Sequence, residues 1–106
     1  MNLKIKEKIV YRYTTKGEGV FSAGKRLLPE NLVNEVLEAK KWLKKPNLAE
    51  GEYKFYLTRK GKEKYERTLF LSHKKYLKEI KLEKFDLNKL KNIVYQDEHQ
   101  VVEKID

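Results

Sequence analysis

The chain has 106 residues, 39% charged and 40% hydrophobic, with a formal net charge of +9 and no cysteine. That length suits one domain, 1–106, and the apolar fraction is enough for a core, so neither a disordered chain nor several domains are expected. The absence of cysteine excludes disulfides, thiolate metal sites and cysteine nucleophiles, and no apolar run is long enough for a membrane-spanning helix.

The excess of Lys and Arg falls in residues 1–85, while 86–106 hold more carboxylates than cations. Such a balance favours an acidic partner, either protein or nucleic acid. Arginine, the residue of bidentate base and phosphate recognition, occurs only as Arg12, Arg26, Arg59 and Arg67. The start MNLKIKEKIV has no signal-peptide pattern, so a cytoplasmic location is expected.

Residues 3–13 alternate, with Leu3, Ile5, Ile9, Tyr11 and Tyr13 on one face and Lys4, Lys6, Lys8 and Arg12 on the other, broken by Glu7 and Val10. This predicts a half-buried antiparallel strand. Residues 14–26 then read as a glycine-rich connection containing Gly19-Val20-Phe21-Ser22-Ala23-Gly24-Lys25, which fits the phosphate-cradling pattern G-x-x-x-x-G-K. Arg26 stands where a Ser/Thr metal ligand belongs, and Pro29 interrupts the helix that must follow. A nucleotide-binding P-loop is therefore not expected. A looser anion-binding loop of Gly19, Gly24, Lys25 and Arg26 is the weaker alternative.

Pro29 suits the first turn of a helix over about 29–44, with Leu32, Val36, Ala39 and Leu43 on one face and Trp42 on its flank. Pro46 closes it, and 46–51 turn back to a strand in which Tyr53, Phe55 and Leu57 alternate with Lys54 and Tyr56. Thr58 is placed to cap a second helix over about 59–78. Its apolar side is Tyr65, Leu69, Tyr76 and Ile80, widened by Phe70 and Leu77, with Ser72 and His73 at the edges. The opposite side carries Lys60, Lys64, Arg67, Lys74 and Lys78, with Leu71 inside that basic stripe. Ile80, Leu82 and Phe85 suggest a short strand or an extended link, and Asp86 a cap for a short helix with Leu87, Leu90 and Ile93. The end is a hairpin about Gln96-Asp97-Glu98, or one bulged strand. The expected architecture is α+β: an antiparallel sheet of four or five strands with two main helices on one face.

The step Leu57-Thr58-Arg59-Lys60-Gly61 resembles the last wing strand and following helix of winged-helix DNA-binding domains. That family implies a helix-turn-helix upstream, where only one strong helical pattern is found, so the chain is not assigned to it. Arg12, Ser22 and Glu98 follow the Arg, Ser/Thr, Glu order of ADP-ribosyltransferases, a similarity of order alone. His73 and His99 lie in no metal-ligand spacing, and no serine sits in a nucleophile elbow. No metal, cofactor, membrane or catalytic set is expected.

The function expected is a small, basic, non-enzymatic binding module. Its partner-binding residues are Lys60, Lys64, Arg67, Leu71, Lys74 and Lys78, and its partner an acidic protein surface. Lys-rich domains of this size often serve as accessory or inhibitor proteins of phages and mobile elements. One alternative is a nucleic-acid binder using the same stripe, which would add Tyr56, Trp42 or Leu71 as contacts. Another is a small nucleotide-ligand binder or ADP-ribosyltransferase-like enzyme centred on 17–26 and Glu98.

Overall fold

A computed structural model describes residues 8–105. The proposed strand residues Leu3, Lys4, Ile5, Lys6 and Glu7 lie outside the described residues. Strand β1 (Ile9–Thr15) forms as expected but not half-buried on one face: Ile9 is exposed while Val10, Tyr13, Thr14 and Thr15 are buried, because both sides of the sheet are covered. Lys16 and Gly17, at φ 50° and 83°, then make a two-residue turn into β2 (Glu18–Gly19), with Thr15 opposite Glu18 and Thr14 opposite Gly19. Positive φ at both central positions is what a primed hairpin turn requires, and Gly17 meets it without strain.

The glycine-rich segment is not a loop. Val20–Leu27 is helix α1, so Gly24 lies within a helix, and Lys25 and Arg26 fall in its last turn rather than before a helix start. Burial of Val20, Ala23 and Gly24 on one face stabilises it more than Gly24 weakens it.

Helix α2 runs from Glu30 to Ala39, with Pro29 as its cap, and so stops short of the expected end at residue 44. Lys40 and Lys44, and Lys41 and Lys45, would be like-charged neighbours one turn apart in a longer helix. A tight turn closed by Leu43 N–H donating to Lys40 C=O (2.8 Å) replaces it.

Strand β3 (Tyr53–Leu57) leads into α3 (Arg59–Thr68). The Thr58 hydroxyl accepts from Gly61 N–H (3.1 Å) and donates to the Glu98 carbonyl (2.6 Å), joining the helix start to the last hairpin. Thr58→Ala should therefore cost about 1–2 kcal/mol of stability in urea unfolding, a cap and a part-buried acceptor being lost together.

The expected 59–78 helix is broken. Leu69, at φ −122° and ψ −25°, separates α3 from α4 (Phe70–Tyr76). The Thr68 hydroxyl donates back to the Lys64 carbonyl (2.8 Å), a bond that bends helices. The turn this introduces changes the inward face to Tyr65, Leu69, His73 and Leu77. Tyr76 is left 39% exposed, and Ile80 opens strand β4.

Glu79, at φ 56°, turns the chain into β4 (Ile80–Asp86), which pairs with β1 from Ile80 opposite Thr15 to Asp86 opposite Ile9. Asp86 caps a 3-10 turn over Leu87–Lys89, where a short α-helix was expected, and Ile93 belongs to β5 (Ile93–Gln96). β5 and β6 (Gln100–Lys104) form the hairpin alternative. No glycine is needed in its turn, because the Asp97 carboxylate accepts from His99 N–H (2.8 Å) and Gln100 N–H (3.0 Å).

The result is an α+β fold with a six-stranded antiparallel sheet, ordered β2-β1-β3-β6-β5, with β4 on the other edge of β1. The two-residue β2 and the full-length β4 account for the strands beyond the expected four or five. The helices cover one face through Tyr13, Ala23, Val36, Leu57, Tyr65 and Leu69. The other face holds a smaller cluster of Val10, Tyr56 and Val101, closed by Phe85, Leu87 and Leu90. Among the described residues no helix is long and apolar enough to cross a membrane.

Candidate interface on the outer face of helices α3 and α4

Lys60, Arg67, Leu71, Lys74 and Lys78 are exposed, and Lys64 is partly buried. Leu71 is 76% exposed, the largest value among the exposed large hydrophobic residues. The backbone ladder continues across the break, with Leu69 N–H bonded to Tyr65 C=O (2.8 Å) and His73 N–H to Leu69 C=O (3.1 Å). Arg67, Leu71 and Lys74 therefore remain at one-turn spacings, while Lys78 lies past the end of α4, after the extended Leu77.

The stripe is not uniform. Lys60 is committed to Glu98 (2.9 Å), an exposed pair that solvent screens strongly. The hydrogen bond from Lys60 holds the Glu98 carboxyl below its ordinary range. Lys64 lies over the Trp42 ring, 5.7 Å from its centroid, and the Trp42 indole N–H donates to Thr68 Oγ (3.3 Å). Trp42 thus extends the α3 face beside Lys64 and Thr68, and its other edge meets the His99 ring at 5.1 Å. Sequence spacing placed Trp42 on the flank of the α2 segment and gave no sign of this contact. Lys74 lies over Phe70 at 5.8 Å. The face therefore offers a row of cations with an aliphatic side chain in the middle and an indole at one end.

The residues of the expected anion loop are divided. Gly19 caps α1, and a Cβ there would come within 3.3 Å of the Arg12 guanidinium. Gly24 is buried, Lys25 is exposed, and Arg26 is ion-paired with Glu18, which also accepts from Ser22 (2.9 Å). Ser22 thus bonds Glu18 and Glu98 pairs with Lys60, while the Arg12 guanidinium lies beside Gly19. No cluster of three or more His, Cys, Asp or Glu suited to a metal occurs among the described residues.

Beneath the face, Tyr65 and His73 form a buried pair, hydroxyl to Nδ1 at 2.7 Å. His73, which helical spacing puts in the core or at the boundary of the apolar side, is fully buried. Burial, with Lys40 nearby, pushes its pKa down to about 4, and burial also lowers that of His99. Because the unfolded chain binds these protons more readily, stability should be intact above about pH 6.5 and fall as pH drops toward 4, with His73 alone contributing about 3 kcal/mol of the loss. Histidine NMR titration should give His73 a midpoint near 4, against about 6.5 for a solvated imidazole.

No protein-family model matches the chain, and no significant match is found among curated proteins or solved structures.

Proposed function

We propose that this domain is a non-enzymatic binding module that takes an acidic protein surface on the outer face of α3 and α4. The observation that carries this is Leu71, 76% exposed between Arg67 and Lys74. A lone exposed leucine is ordinary, but one flanked by Arg67 and Lys74, on a face whose Lys64 end carries a half-buried indole, has the make-up of an interface anchor. The cations steer an acidic partner to the surface and exclude basic ones. Leu71 and Trp42 then supply apolar contact, which a phosphate backbone would leave unused.

The test compares a labelled acidic peptide containing leucines with mixed-sequence duplex DNA at about 50 mM salt, where phosphate contacts are strongest. The peptide is expected to bind and to lose affinity in Leu71→Ser. Binding to DNA alone, unchanged in Leu71→Ser, would replace the protein partner with nucleic acid.

A further inference from the structure

Between α1, α2 and α4 lies a cavity of about 20 Å³, bounded by Phe21, Gly24, Leu28, Val36, Lys40 and His73, with the exposed Lys25 and Leu37 also on its wall. That is room for one oxygen atom inside, with the rest of a ligand in the mouth. His73 is fully buried, and its Nε2 has no hydrogen-bond partner. The Tyr65 hydroxyl has His73 Nδ1 (2.7 Å) as its hydrogen-bond partner. The assignment that satisfies both groups has Tyr65 donating to Nδ1, which leaves the imidazole proton on Nε2. Gly24 keeps the space before that nitrogen clear, since a Cβ there would sit 3.1 Å from Nε2 and 3.5 Å from Leu28 Cδ1.

The other polar side chains on the wall are Lys25 and Lys40. Lys40 is partly buried, its Nζ 5.5 Å from the Phe21 ring centroid. Every polar side chain here is thus a donor or a cation, and none is an acceptor. We infer that this cavity is a binding site for a small carboxylate, one oxygen on His73 Nε2–H and the charge facing Lys40 and Lys25. A metal ion would be repelled by the ammonium groups. Phosphate would bring further oxygens against Val33 and Leu37, where nothing can pair with them. A carboxylate has one further oxygen to place and can lay a short alkyl group on those side chains. His73 lies on the inward side of α4, so this site is separate from the Leu71 face.

The experiment is acetate titration into the full chain at constant ionic strength, read from histidine ring 1H–15N correlations. Without acetate, Nε2 of His73 should carry the proton. Acetate should shift it saturably, Lys40→Gln should weaken the response about tenfold, and Gly24→Ala, which puts a methyl group in the site, should abolish it. An unprotonated Nε2, no saturation by roughly 100 mM acetate, or equal binding by Lys40→Gln would each overturn the assignment. Lys40→Gln leaves Gly24 and the helix packing around it unchanged, so the result does not depend on Gly24→Ala folding.

Discussion

Gly61→Ala is expected to lower the thermal midpoint of unfolding by roughly 12–24 °C, following a loss of roughly 3 kcal/mol or more. In an ordinary helix the same change would add up to about 1 kcal/mol of stability, so the sign itself is a test. Gly61 lies in the first turn of α3, where the β5–β6 turn crosses it. A Cβ there would be 2.0 Å from the His99 carbonyl oxygen and 2.9 Å from the carbonyl carbon. That oxygen already accepts from Thr58 N–H (3.0 Å), and the Thr58 hydroxyl holds Glu98 next to it. The hairpin cannot retreat without losing both bonds. Circular dichroism melts of the two chains measure the difference, and an equal or higher midpoint for the variant would refute the close approach.

Simultaneous charge reversal, Arg67→Glu with Lys74→Glu and Lys78→Glu, is expected to weaken acidic-peptide binding at least about hundredfold. Each substitution turns an attraction into a repulsion on one face, and the losses compound. Stability should change by about 1 kcal/mol or less, because all three side chains are exposed and only a modest end-of-helix charge effect and the exposed Lys74–Phe70 contact are lost. Isothermal titration alongside urea unfolding separates the two effects. Undiminished binding by a folded variant would show that the stripe is only solvated.

The α+β class, the existence of the strand before Thr58 and the exposure of Leu71 were legible in the sequence from alternation and helical spacing. Which side of β1 and β3 is buried was not, since Val10 and Tyr56 are buried in a second cluster while Ile9 and Phe55 are exposed. Nor was the break after Thr68. It depends on one hydroxyl choosing the Lys64 carbonyl, and a helical wheel treats Thr68 as an ordinary position. Missing it turned Tyr76 inward and left His73 between core and boundary, when His73 is fully buried and Tyr76 is 39% exposed. The α1 segment was hidden for a different reason. Glycines at 19 and 24 suggest a loop by propensity, yet Gly24 lies within the helix, packed close to His73 and Leu28, where a Cβ would sit 3.1 Å from His73 Nε2. The step Leu57-Thr58-Arg59-Lys60-Gly61 likewise has a local cause: Thr58 caps the helix while Gly61 lets the hairpin cross it. Trp42 could not be joined to the basic stripe from sequence, since its partners Lys64 and Thr68 lie on a different helix.

The most direct measurement is a backbone and indole chemical-shift map of the uniformly labelled chain during titration with a leucine-containing acidic peptide. The perturbed signals should trace Arg67, Leu71, Lys74 and Lys78, together with the Trp42 indole N–H. Shifts gathered on the β4 edge or on Lys25 and Arg26, or none at all, would contradict an interface on α3 and α4.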